Sequence, residues 1–217
     1  MAKLNLSNIG PMNNLIINGD MAIAQRGTTF VTPIAGDYLL DRWHYGKSGT
    51  MAHYISQYTS VPTLAQSGHQ SKYDMAIDVT TADAALAAAD HCYIGYKMEG
   101  QDAINLHGQY VTLSFWVNAY RTGTHCVSFR SGDADASYIA EYEIYAQYTW
   151  EKKTVTLLID TTIGTWDTDS TAGLIIAFVF GAGSNFHTTA GTWQSGNYLS
   201  TSNQVNGVGH TDDLYYF

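Results

Sequence analysis

Apolar and polar residues alternate with a period of two along most of the chain. Residues 110–118 are the clearest case. Val111, Leu113, Phe115 and Val117 fall on one side, and Thr112, Ser114, Trp116 and Asn118 on the other. Successive side chains of a strand point to opposite faces, so this pattern predicts a strand with one face in a core. The same alternation predicts strands over 51–59, with Met51, His53, Ile55 and Gln57 opposed to Ala52, Tyr54, Ser56 and Tyr58, and over 73–80. Further strands are expected over 92–99, 124–130, 137–145 and 150–159. Within 173–180 the run Leu174 to Phe180 is apolar on both faces, which predicts a central strand covered on both sides.

Leu15–Ile17 reads as a short strand ended by the turn signal Asn18-Gly19-Asp20, and Asp212–Phe217 as the start of a last strand. The alanine-rich stretch 81–91 is the one helix-like segment. It is short and lacks an apolar stripe, so one helical turn or a loop is expected. Residues 181–203 are rich in Gly, Ser, Asn and Thr and read as a long loop. Turn-separated strands with almost no helix predict an all-β fold, an antiparallel two-sheet β-sandwich of jelly-roll type over 14–217. Residues 1–13 are expected as a short extended arm.

Composition narrows the function. Charged residues are 13% of the chain and the net charge is −9. Lys152-Lys153 is the only adjacent basic pair, so no stripe exists to neutralise a phosphate backbone and nucleic acid is not an expected partner. No run of about 18 apolar residues occurs and no basic amphipathic stretch, so no membrane association is expected. The N-terminus lacks the pattern of a signal peptide. Cys92 and Cys126 read as small buried hydrophobes, with a disulfide left open.

The motifs of common hydrolases, metalloproteases and nucleotide binders are absent from the sequence. The eight histidines are scattered, and each is expected at the surface of a loop or strand. Glu141 and Glu143 share a strand face. Glycoside hydrolysis needs carboxyl groups on opposite sides of a sugar, so the pair does not predict an enzyme. Asp41-Arg42-Trp43 places charges inside an aromatic segment and is expected to be satisfied internally. A pyranose is recognised by an exposed aromatic face with polar groups around it. Trp116, Glu141, Glu143, Tyr145, Trp193 and Tyr198 are the candidates for that role, and a second core layer or a subunit interface would use the same side chains.

One set of residues resembles a known family. Asn14-Leu15-Ile16-Ile17-Asn18-Gly19-Asp20-Met21, Ala24-Gln25-Arg26-Gly27, and Tyr38 with Asp41-Arg42-Trp43 resemble the opening of a module in tail-fibre and virion proteins of tailed bacteriophages. Ile77-Asp78-Val79-Thr80, Met98-Glu99-Gly100, Leu113-Ser114-Phe115-Trp116-Val117, Thr149 to Thr154 and Gly181 to Ser184 follow in the same order. The resemblance covers roughly residues 5–217. The Asn-Gly-Asp end of the early strand and the Leu-Ser-Phe-Trp-Val strand are also similar to jelly-roll carbohydrate-binding modules of glycoside hydrolases. The resemblance implies a non-catalytic virion structural protein, made in the host cytoplasm. It would act in host-surface attachment as a tail-fibre or receptor-binding module. A capsid decoration or head-fibre protein is the alternative, and a glycan-degrading enzyme a third. Implied partners are other virion proteins through the arm, a host-surface glycan, and two further copies in a homotrimer. No cofactor is implied beyond a structural calcium between first and last strands, for which Asp20, Asp212 and Asp213 are the candidate ligands. Family members usually continue beyond Tyr216-Phe217, so a short or neighbour-supplied last strand is expected.

Overall fold

The computed structural model describes residues 2–6 and 14–217, without the side chains of residues 4–6. The described strands are β1 (Lys3–Leu6), β2 (Thr29–Val31), β3 (Trp43–Ser48), β4 (Ala52–Tyr58), β5 (Asp74–Thr81), β6 (His91–Glu99), β7 (Tyr110–Ala119), β8 (Gly123–Ser131), β9 (Ala136–Ile144), β10 (Glu151–Leu158), β11 (Ala172–Ala182), β12 (Trp193–Ser195) and β13 (Leu214–Tyr216). They form two antiparallel sheets packed face to face. One runs β10-β7-β13-β5-β4-β2, with β1 also paired to β7; the other runs β12-β9-β8-β11-β6-β3. The expected β-sandwich is therefore present.

The alternation of β7 sets the core. Val111, Leu113, Phe115 and Val117 are buried against the inner face of the second sheet. Phe115 meets Phe178 of β11 at 4.9 Å and Tyr142 of β9 at 5.1 Å between ring centroids, both edge-on. Phe180 and Tyr215 close the same layer at 4.8 Å. β11 is central, between β6 and β8. Its second apolar face, Ala177 and Val179, is covered by Leu199 and Phe186 of the long loop, which explains why that strand is apolar on both sides.

Several expectations are corrected. Leu15–Ile17 is not a strand. The Ile16 N–H donates to Asn14 Oδ1 at 3.1 Å and the Ile17 N–H to the Tyr96 hydroxyl at 3.1 Å, so these groups satisfy side chains rather than a ladder. Asn18 follows with φ at 57° and binds the Ile23 N–H and carbonyl through its amide. The alanine-rich stretch, by contrast, is the expected loop, residues 82–90 joining β5 to β6, and the short helices lie elsewhere, α1 at Leu64–Ser67 and α2 at Gly100–Ala103. Thr63 and Gln66 make a reciprocal capping box on α1, and Gly68 ends it at φ 69°. The histidines are not all at the surface: His44, His53 and His125 are buried. Both cysteines are buried and free. Cys92 faces the core whereas Cys126 contacts Thr201 of the overlying loop, so they sit on opposite faces of their sheet.

The last strand is short and lies between β5 and β7, where Tyr216 pairs with Asn118. Within the expected arm, Lys3–Leu6 pair with Ser114–Val111 of β7. β10 occupies the other edge of β7, so β1 continues the line of β13 in the same direction. Residues 1 and 7–13 of the expected arm lie outside the described residues.

Candidate functional site

The residues singled out for sugar binding are dispersed over several surfaces. Trp116 is on the outer face of the seven-stranded sheet, beside a shallow depression of about 60 Å³ shared with Lys3, Ser67, His69 and Lys152. Glu141 and Glu143 do share the outer face of β9, but each is engaged: Glu141 accepts from the Thr201 hydroxyl and from Asn203 Nδ2 at 3.1 Å, and Glu143 from Thr124 Oγ1 at 3.1 Å. Tyr145 is strongly exposed just beyond β9, with the Lys153 ammonium 4.7 Å from its ring centroid. The Tyr198 carbonyl accepts from Ser128 Oγ at 2.8 Å, so this residue pins the loop to the sheet.

Trp193 is different. β12 places it opposite Tyr138 of β9, with ring centroids 5.8 Å apart. Its Nε1–H donates to the Leu158 carbonyl at 2.7 Å, which ties the edge of the six-stranded sheet to the end of β10 in the other sheet. Trp166 braces the indole edge-on at 5.3 Å. Between the two sheet edges lies an open groove of about 440 Å³. Tyr138, Thr192 and Trp193 line one side, and Tyr110, Thr156, Leu158 and Asp160 the other. This volume falls within the range of small-ligand clefts.

The chemistry of the groove follows from its lining. Tyr110 begins β7 and is 60% exposed, although alternation alone would not place an aromatic there for core packing. Asp160 Oδ1 accepts from the Thr162 hydroxyl at 2.7 Å and from its N–H at 2.9 Å. These two bonds hold the Asp160 carboxyl below its usual range and leave it an acceptor at neutral pH. Asp160 is the only carboxylate among the described lining residues. Aromatic faces beside an acceptor and threonine hydroxyls can stack and hydrogen-bond a sugar ring. Tyr110, Tyr138 and Asp160 were not singled out in the sequence. Only the exposed Tyr110 left a signal, as an aromatic immediately before an alternating run.

The calcium candidates Asp20, Asp212 and Asp213 do not group into a metal-binding set among the described residues. Asp213 is buried and paired to Arg121, Asp212 is exposed next to it, and Asp20 lies in the 17–20 turn. Among the described residues no group of three or more His, Cys, Asp or Glu side chains could hold a metal ion. Asp41-Arg42-Trp43 is engaged within the fold as expected, with the buried Arg42 Nε left without an acceptor. Arg42 forks onto Glu99 at 2.7 and 2.6 Å, Asp41 accepts from the Gln25 N–H at 2.7 Å, and Trp43 is buried with Nε1 donating to Asn18 O at 3.0 Å.

No family model matches the chain, and no curated protein matches it. Among solved structures it is similar to the enzymatically active domain of tailspike protein 4 of bacteriophage CBA120, with 10% identity and a TM-score of 0.45 over 81% of this chain. The chain spans about 18% of the length of that domain's chain. It is also similar to TmCBM61 in complex with β-1,4-galactotriose, with 12% identity and a TM-score of 0.38 over 83% of this chain and 86% of that one.

Proposed function

We propose that the chain is a non-catalytic carbohydrate-binding β-sandwich that serves host-surface attachment in the particle of a tailed bacteriophage, as a tail-fibre or receptor-binding module. The observation that carries the binding half is the side groove, where Trp193, Tyr138 and Tyr110 stand around a single ionised acceptor, Asp160. Hydrolysis of a glycosidic bond needs two carboxyl groups flanking it, and the described groove lining offers one. The virion setting and a trimeric assembly are the expectations that the sequence resemblance brings. The capsid-decoration alternative rests on an arm at residues 1–13 too short to be a fibre shaft, and the pairing of Lys3–Leu6 with β7 engages part of that arm within the sandwich. Attachment is therefore the preferred reading.

The test is titration of the protein with neutral oligosaccharides prepared from host surface polysaccharides, followed by nuclear magnetic resonance. Resonances of Tyr110, Trp193 and Thr192 are expected to shift, and Asp160→Ala to abolish the shifts. An absence of binding across the whole set of host polysaccharides would overturn the reading. Shortening of the oligosaccharides on long incubation would overturn the non-catalytic half.

A further inference from the structure

A second surface lies on the outer face of the seven-stranded sheet, away from the groove. The five tryptophans of the chain are not used alike. Trp43, Trp166 and Trp193 give their indole N–H to a backbone carbonyl. These three and Trp150 each pack against another aromatic ring. Trp116 does neither among the described residues. Its strand turns it away from the core, into which Phe115 and Val117 point, and it stays partly exposed. An indole offers an apolar face and a donor together, so one with both uncommitted is available to a ligand.

The ground around Trp116 is basic. Lys152 of β10 stands opposite it, and Lys3 of β1 stands opposite Ser114, two residues earlier on the same face of β7. β1 and β10 pair with opposite edges of β7, so the two lysine rows are about 10 Å apart, twice the strand spacing. The ion pairs among the described residues use Arg26, Arg42, Arg121 and Lys153, so neither Lys3 nor Lys152 has a carboxylate partner there. Acidic residues outnumber Lys and Arg by 19 to 10 in the chain, yet no carboxylate is among the described residues that line this depression. The loop after α1 walls one side. Ser67 Oγ accepts from the His69 N–H at 3.2 Å and donates to the His69 carbonyl at 2.6 Å, which fixes the backbone of His69 at the rim with its side chain exposed.

The lining specifies the ligand. Two ammonium groups, the Ser114 hydroxyl and the Trp116 N–H are all donors, so an acceptor with negative charge matches them. The depression holds about 60 Å³, roughly the share of two waters, which admits an acidic group but not a whole pyranose. A lysine is a point charge without the planar fork of arginine, so the site recognises charge more than shape. We propose that this depression holds the acidic group of an anionic sugar, a carboxylate or a sulfate ester, with the sugar ring against Trp116. The sugar identity rests on the carbohydrate reading above. The surface and its charge preference are separate from the groove, where the Asp160 carboxylate opposes an anion.

The test uses three forms of one oligosaccharide of uronic acids: native, carboxyl-reduced and therefore neutral, and a sulfated version of the reduced form. At low ionic strength an acidic form is expected to bind at least about fivefold more tightly than the reduced form, the sum of two exposed charge contacts. Lys152→Gln is expected to cut that advantage to about twofold, Lys152→Arg to keep it, and Lys3→Gln combined with Lys152→Gln to abolish it. Lys97→Gln, in β6 of the other sheet, makes the same change of net charge and is expected to leave the advantage intact. The Trp116 Nε1–H resonance, identified by its loss in Trp116→Phe, is expected to move with an acidic form and to stay in place at the same concentration of the reduced form. Equal affinity for all three forms, an advantage that survives both lysine substitutions, or a Trp116 resonance that does not respond overturns the proposal. An advantage confined to one acidic form supports the site and assigns it to that group. Failure of the groove shows separately, as reduced-form binding that is absent or indifferent to Asp160→Ala while the acidic form still moves Trp116.

Discussion

Asp213 is sealed in the interior and commits both carboxylate oxygens to Arg121, with Nε 3.0 Å from Oδ1 and Nη2 3.1 Å from Oδ2. The His210 N–H adds a third bond at 3.0 Å. The pair fastens the approach to β13 to the turn between β7 and β8. Removing one partner leaves a buried charge uncompensated, so Arg121→Ala is expected to lower stability by about 3–5 kcal/mol in chemical denaturation. Replacing both, as Arg121→Met with Asp213→Leu, is expected to cost much less. Because the guanidinium already supplies the counter-charge, millimolar calcium and EDTA are expected to leave the melting temperature of the wild type unchanged.

Burial shapes the pH dependence of folding. It lowers His44, His53 and His125 to about 4 each, and raises Asp74 to about 7. The histidines have folded values below their unfolded ones, so their contribution is complete above about pH 6.5 and is lost as pH falls toward 4. Asp74 works oppositely: its burial costs nothing below about pH 4, and the cost grows until about pH 7. Between these limits unfolding takes up about two protons net from the four groups, which gives a slope of roughly 3 kcal/mol per pH unit. Stability measured by denaturant titration is expected to level off at about pH 7–8 and to fall steeply toward pH 4. Asp74→Asn is expected to raise stability above pH 7 and to leave it nearly unchanged at pH 4.

The strands were largely legible because a half-buried strand writes its two faces into successive residues, as in β4, β7 and β10. Leu15–Ile17 misled because an apolar triplet looks the same whether its backbone joins a ladder or is bound by Asn14 and Tyr96 side chains. The histidines misled for a related reason. His53 is buried because Tyr45 reaches its Nδ1 at 2.6 Å, and a partner eight residues away in another strand leaves no local pattern. The groove was half legible. Trp193 stood out as an aromatic in a polar loop, but Tyr110, Tyr138 and Asp160 reach it only when the edges of two sheets meet.

The Tyr93 and His44 rings each rest on a glycine, and this makes a separate prediction. Gly46→Ala would place a methyl group 2.1 Å from the Tyr93 ring, and Gly95→Ala one 2.3 Å from the His44 ring. Neither ring can yield far, since each packs on the other. Each substitution is expected to cost about 1–3 kcal/mol, the usual range for overpacking. Both are also expected to shift the side-chain resonances of Arg130, whose guanidinium lies 5.0 Å from the Tyr93 ring centroid, whereas Gly191→Ala, where no atom lies within 4 Å of a Cβ, is expected to leave them in place despite the strain of its φ of 82°.

Tyr110 and Trp193 line the same groove but are held differently, and this separates binding from folding. Tyr110 is 60% exposed, so Tyr110→Ala is expected to lower stability by about 1 kcal/mol or less. Loss of one stacking ring at an open site is worth about 1 kcal/mol, so its sugar affinity is expected to fall about fivefold to tenfold in titration calorimetry. Trp193 bonds to the Leu158 carbonyl and is braced by Trp166 and Tyr138. Trp193→Ala is therefore expected to lose affinity and also to lower stability by about 3 kcal/mol, because it removes a packed aromatic and leaves a gap at the junction of the sheets. An equal stability loss in the two variants, or full affinity in Tyr110→Ala, would show that the groove is a packing seam between sheets rather than a place where a sugar stacks.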